Sequence, residues 1–200
     1  MSKTIAIVAG AAMVAMVGGT IAAIQWHGGG GPCGVARVDA AIGGPFELVS
    51  ETGGTVTDAD VITEPALIYF GYTFCPDVCP LDLARNAAAV DILAEQGVSV
   101  TPVFITIDPA RDTVDVAKDY TDSFHPRMIG LTGSSAQVAA AAGAYQAYYE
   151  RADDDPEYYL MHHSTLTYLV MPQNGVVGIF KRPASADEVA QRTACIVQTS

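Results

Sequence analysis

The sequence predicts a mixed α/β domain carried behind a single hydrophobic helix. Three observations predict it. Short, apolar, β-rich runs alternate along the chain with stretches of helix formers, which indicates a sheet covered by helices on both faces. A Cys-x-x-x-Cys pair, Cys75 and Cys79, falls where one such run gives way to a helical stretch. The first part of the chain, Ile5 to Ile24, contains no charged residue.

That apolar stretch is long enough to cross a bilayer, since twenty helical residues span about 30 Å. Ala22-Ala23 is a poor cleavage site, so a retained anchor over residues 1–26 is expected, with Trp26 at the interface. Lys3 is the only charge before Arg37 and keeps the N-terminus on the cytoplasmic side, so the rest of the chain is exported. Residues 27–34, with Gly28-Gly29-Gly30-Gly31-Pro32, form a flexible linker. Residues 35–200 have the size of one domain. A net charge of −12 argues against binding nucleic acid or anionic lipid, and serves either solubility or a basic partner.

In chain order, Phe46–Ser50 and Thr55–Thr57 alternate around Glu51-Thr52-Gly53-Gly54 as an N-terminal hairpin. Ala66–Phe70 is a buried strand, followed by a helix over Leu81–Leu93 with apolar residues at helical spacing. Val100–Asp108 is a second buried strand. Thr113–Phe124 is a helix that Asp112 or Thr113 could cap. Met128–Leu131 is a short strand, Ser134–Tyr149 a helix and Glu150–Glu157 an acidic loop. Thr165–Val170 and Val176–Phe180 form a hairpin around Pro172-Gln173-Asn174-Gly175, and Ser185–Val197 is the closing helix. A dithiol after a strand of this kind suggests a thioredoxin-like fold.

The end of a central strand and the start of a helix is where a thiol is made reactive. Unpaired N–H groups and the helix dipole favour negative charge there and lower thiol pKa. Two such thiols suit redox chemistry or a soft metal. On a helix i and i+4 share a face, so both sulfurs are expected to point at one ligand. A metal needs a further donor, and there are four histidines. His27 lies beside the anchor and His125 reads as a loop or cap residue. In thioredoxin relatives the loop entering the corresponding strand carries a proline that packs on the cysteine site. Here no proline occurs between Pro156 and Pro172, and His162-His163 takes its place. In extended chain only one of these two can face the cysteines.

Four stretches carry a resemblance to a known family. They are Gly71-Tyr72-Thr73-Phe74-Cys75-Pro76-Asp77-Val78-Cys79-Pro80, Thr106-Ile107-Asp108-Pro109-Ala110-Arg111-Asp112-Thr113, Ile129-Gly130-Leu131-Thr132-Gly133 and His163-Ser164-Thr165-Leu166-Thr167-Tyr168-Leu169-Val170-Met171-Pro172. Spread over most of residues 43–182, they resemble the Sco/SenC family, the membrane-anchored copper chaperones of cytochrome c oxidase assembly. The resemblance implies copper, as Cu(I) or Cu(II), on Cys75, Cys79 and His163. It implies delivery to the CuA site of oxidase subunit II, an upstream copper donor, and a place on the periplasmic side of a bacterial inner membrane. The alternative is an enzyme, a thiol–disulfide oxidoreductase with Cys75 and Cys79 as its redox pair, which keeps the CuA cysteines reduced. Thr73 is two residues before Cys75, not the three of peroxiredoxins, which weakens a peroxidase reading.

The chain departs from the family in having His162 before the ligand histidine, where relatives usually carry an acidic or small residue. His162 is expected to face outward or to sit behind the ligands. Asp77 reads as a turn residue or as an acceptor behind the cysteines. Asp108 and Asp112 resemble a carboxylate pair but are expected in loop and capping roles. Cys33 and Cys195 lie outside the metal motif. In an exported chain with four cysteines they are expected to form a disulfide.

Overall fold

The computed structural model describes residues 32–35, 38, 41–152, 155 and 158–199. The expected membrane anchor and most of the linker lie outside the described residues. Among those described, no helix is long and apolar enough to cross a membrane.

The centre of the molecule is strand β3 (Ala66–Gly71), buried at all six positions. A strand buried on both faces reads as a continuous apolar run, and Ala-Leu-Ile-Tyr-Phe-Gly is one. The elements before it are β1 (Glu47–Ser50), β2 (Thr55–Thr57) and a short helix α1 (Asp58–Val61). After it come α2 (Val78–Glu95), β4 (Thr101–Thr106), α3 (Val114–Asp122), β5 (Ile129–Thr132) and α4 (Ser135–Ala144). The chain ends with β6 (Tyr149–Arg151), β7 (Met161–His163), β8 (Leu166–Met171), β9 (Gly175–Lys181) and α5 (Ala186–Thr199).

Seven strands form one sheet in the order β2-β1-β5-β4-β3-β8-β9, while β6 and β7 pair separately. β3, β4 and β5 are parallel, joined by the crossover helices α2 and α3, as parallel neighbours require. β8 and β9 add antiparallel strands beyond β3, with Ile68 opposite Tyr168 and Tyr69 opposite Thr167. One buried cluster joins Ile68, Phe70 and Phe104 to Leu83, Val138 and Tyr145. A second joins Leu67, Leu169 and Phe180 to Val90 and Leu93 of α2 and to Val189, Ala190 and Ala194 of α5. This is the expected thioredoxin-like architecture with an N-terminal hairpin.

Several boundaries differ from the sequence reading. α2 begins at Val78, so it takes in Cys79 and Pro80; proline is tolerated in a first turn because the N–H it lacks has no partner there. α4 stops at Ala144 rather than running to Tyr149. Tyr145 turns its ring into the core, 5.4 Å from both Phe70 and Tyr168, and Gln146 takes a positive φ of 51°, which no helix accommodates. Part of the expected acidic loop, Glu150 and Arg151, is instead paired in β6 with β7. Three-residue strands with polar, exposed faces carry no periodicity long enough to read. The same holds for α1, where the Asp60 carboxylate accepts from Thr57 N–H and Oγ1 at 2.8 and 2.6 Å.

Cys33, in a turn over Pro32–Gly34, and Cys195, in α5, lie 162 positions apart in sequence and form a disulfide with their Cα atoms 5.7 Å apart. It ties the entry of the domain to its last helix, and Val35 is thereby laid against Gly178 of β9.

Candidate metal centre

β3 ends at Gly71, directly beneath the cysteines. A Cβ at this position would meet Cys79 Sγ at 2.8 Å and Tyr69 Cε1 at 2.9 Å, so only glycine lets the strand end approach the sulfur this closely. The next residues form a turn, with Cys75 N–H donating to Tyr72 O at 3.3 Å. Cys75 therefore precedes the helix, and only Cys79 lies on it, which corrects the expectation of two cysteines on one helical face. The sulfurs meet because Cys75 sits over the N-terminus of α2, where its Sγ accepts from Cys79 N–H at 3.4 Å. Orphan N–H groups and the helix dipole both favour a thiolate there.

The third group comes from β7. Cys79 Sγ and His163 Nε2 are 3.4 Å apart. His163 Nδ1 lies 2.9 Å from Ser164 O. A carbonyl only accepts, so Nδ1 carries a proton and Nε2 is the ring nitrogen that faces the sulfurs. The rings of Tyr69 and Tyr72 stand edge-on to the imidazole, at 6.3 and 5.8 Å between centroids. Tyr72 also anchors the strand, its hydroxyl accepting from Met161 N–H at 3.2 Å. One ligand atom from each of Cys75, Cys79 and His163 lies within 4.8 Å of the others. Both cysteines are buried and free of disulfide.

The two thiols are electrostatically unequal. The Cys75 thiol is lowered from 9.0 to about 3, first by a hydrogen bond from the Cys79 thiol, with the His163 ring and then the N–H groups of Cys79 and Asp77 adding to it against the cost of burial. The Cys79 thiol is pushed far up, because it donates to Cys75 and is buried. The Tyr69 hydroxyl, itself pushed up by burial, lies 3.9 Å from Cys79 Sγ and donates to Asp82 Oδ2 at 3.1 Å. Asp82 pairs with Arg85 at 3.3 Å, and Arg85 Nη2 donates to Thr167 Oγ1 of β8 at 2.7 Å. Burial raises the Asp82 carboxyl in spite of this arginine.

His162 is exposed and stands across from Glu150, away from the sulfurs. Asp77 is exposed at the N-cap of α2 and makes no capping bond with its side chain; only its backbone reaches Cys75. Neither acts behind the ligands through its side chain. Tyr69, Tyr72 and Asp82 do, and the sequence reading passed over all three. For Asp82 a signal was present, three residues beyond Cys79 on the same helix face. Asp112 is not a cap, since Thr113 accepts from Val116 N–H in that role. It is fully buried and accepts from Thr73 N–H and Thr73 Oγ1 at 3.0 and 2.6 Å.

Two sulfurs and one imidazole nitrogen that converge, with no fourth such group beside them among the described residues, form a donor set for a soft metal ion with one open position. The class defined by fold and site is thus a thioredoxin-like domain that carries a Cys2His metal centre. The SCO1/SenC family model matches residues 35–198, and the chain belongs to that family. It is 53% identical to Protein SenC of Rhodobacter capsulatus over 164 residues, which are 82% of this chain and 74% of that one. The structure of Arabidopsis thaliana ScoI with copper bound superposes with a TM-score of 0.75 at 39% identity, covering 79% of this chain and 99% of that one. Bradyrhizobium japonicum ScoI with copper bound gives 0.70 at 36% identity, covering 77% and 98%.

Proposed function

We propose that this chain is a copper chaperone that delivers copper to the CuA site of cytochrome c oxidase subunit II during oxidase assembly. The observation that carries this reading is the convergence of Cys75, Cys79 and His163 within 4.8 Å in a protein of the SCO1/SenC family, whose relatives include ScoI structures with copper bound. Thiolates hold Cu(I), and the imidazole extends the set to Cu(II). Three ligands leave a position open, so a ligand from the acceptor could enter before His163 leaves. Copper would be received from an upstream donor by the same exchange in reverse. Phe74, Leu81, Tyr148, Tyr158 and Leu160 are large, exposed apolar side chains on the segments that carry or adjoin the ligands, a surface on which another protein could close. Residues 1–26 would anchor the chain in the bacterial inner membrane and 27–34 would space the domain from it on the periplasmic side.

One observation favours a second role for the same pair. A low-pKa thiol beside a thiol held protonated is the division of labour of a thiol–disulfide reductase, with Cys75 attacking and Cys79 resolving. Copper titration of the full-length chain, reduced and then oxidised, tests the first role. One copper is expected per reduced chain and none at this site after a Cys75–Cys79 disulfide forms, since a disulfide has no thiolate to donate. Equal binding by the oxidised protein would sink the chaperone reading.

A further inference from the structure

The segment Asp108-Pro109-Ala110-Arg111-Asp112 lies outside the ligand set, yet it holds both halves of the centre. Asp112 grips the cysteine loop through Thr73, and its Oδ2 is braced by Thr106 Oγ1 at 2.6 Å. Asp108 grips the histidine side, accepting from the Tyr159 hydroxyl at 2.6 Å four residues before His163. Both carboxylates are almost fully buried.

Arg111 joins the two grips. Its Nε donates to Asp108 Oδ2 at 2.5 Å and its Nη1 to Tyr159 O at 2.9 Å. Its guanidinium lies over the Tyr159 ring at 3.5 Å and over the Phe74 ring, next to Cys75, at 4.8 Å. Arg151 of β6 covers Tyr159 as well, at 3.7 Å, and β6 is paired with the strand that bears His163. Among the described residues the buried Arg111 Nη2 atom has no hydrogen-bond partner, and the guanidinium is covered there by ring faces.

We propose that Arg111, with Asp108 and Tyr159, is a clamp that sets where His163 stands relative to Cys75 and Cys79, and that it thereby governs the binding of Cu(II) more than that of Cu(I). Arg111 is a positioning residue: it touches neither sulfur nor imidazole. The inference rests on the copper reading above. Two thiolates suffice for Cu(I), whereas Cu(II) favours nitrogen-containing sets and depends on the imidazole. Loosening the clamp leaves both thiolates in place and removes His163 from its post.

The test compares full-length chains carrying Arg111→Ala, Arg111→Lys and Tyr159→Phe with the parent. Cu(I) and Cu(II) affinities are read by chelator competition, and amide hydrogen exchange of residues 158–163 is read without metal. Arg111→Ala is expected to lose about tenfold in Cu(II) affinity and less than about threefold in Cu(I). Lysine, which keeps the charge but lacks the planar face, should restore only part of the loss. Exchange at 158–163 should accelerate while that of β3 and β4 stays as in the parent. Tyr159→Phe removes a single hydroxyl and keeps the comparison decisive if Arg111→Ala does not fold. Equal losses for the two copper states, no loss in either, or unchanged exchange would overturn the clamp. A parent chain that binds neither state would overturn the copper reading instead, with the metal-free exchange still reporting on the clamp.

Discussion

Cys79 Sγ faces His163 Nε2 across 3.4 Å, although the two are 84 positions apart in sequence. His162, the immediate neighbour, is exposed and directed at the Glu150 side of its hairpin. His163→Ala is therefore expected to lower Cu(II) affinity by at least about 100-fold, beyond the range for an outlying partner of a ligand. His162→Ala should stay within about threefold of the parent. Competition titrations on both variants check this, and a larger loss from His162→Ala would refute the assignment. Retained oxidase assembly with His163→Ala would favour the reductase role over delivery.

The inequality of the thiols is visible without metal. At neutral pH the reduced chain should show one thiolate by ultraviolet absorbance, from Cys75, where two ordinary thiols would show almost none and two activated ones would show a pair. Cys75 is more acidic folded than unfolded, so the stability it confers grows as pH rises from about 3 toward 9.0 and is lost as pH falls back through about 3. Above the ordinary thiol range Cys79, held protonated, acts in the opposite sense. Urea midpoints of the reduced parent and of Cys75→Ser should converge as the solution is acidified.

Gly71→Ala places a methyl group 2.8 Å from Cys79 Sγ and 3.2 Å from Phe104 Cε2. Overpacking of this kind costs about 1–3 kcal/mol. Here part of the cost falls on the sulfur itself, so copper affinity should drop along with stability. Denaturant unfolding and copper competition on the same preparation separate the two effects; unchanged affinity would show that the sulfur had not been moved.

Tyr69→Phe removes the hydroxyl between Cys79 and Asp82 and leaves a buried carboxyl short of one donor. A loss of about 1–3 kcal/mol in unfolding free energy is expected. Asp82→Asn, which still accepts from Tyr69, should lose less at this bond but release Arg85. The two substitutions share partners, so a double-mutant cycle should show coupling.

Opening the Cys33–Cys195 disulfide with a Cys195→Ser substitution should cost about 5 kcal/mol at most, given the long loop it closes. The bond packs with the second buried cluster rather than with Cys75 and Cys79. Copper affinity should therefore stay within about twofold while the urea midpoint falls.

Much of this protein was legible in its sequence because local chemistry carries it. Ala66–Phe70 could only be an interior strand, and Cys75-Pro76-Asp77-Val78-Cys79-Pro80 after it marked a reactive turn. The helix periods and the β8–β9 hairpin followed from spacing alone. The tertiary structure decided what depends on distance across the chain. Cys75 lies off the helix because the turn at Tyr72 is closed by a bond that residue types do not announce. Tyr69 reads as core from its strand, and only the antiparallel pairing with β8 and the packing of α2 bring its hydroxyl to Cys79 and Asp82. The Asp108–Arg111–Asp112 segment looks like a loop until Thr73 and Tyr159, 86 positions apart by their numbers, are both found on it. Periodicity reports which face of an element is buried; it holds no information on which distant partner the buried polar atom meets, and that partner is what turns two thiols and a histidine into one site.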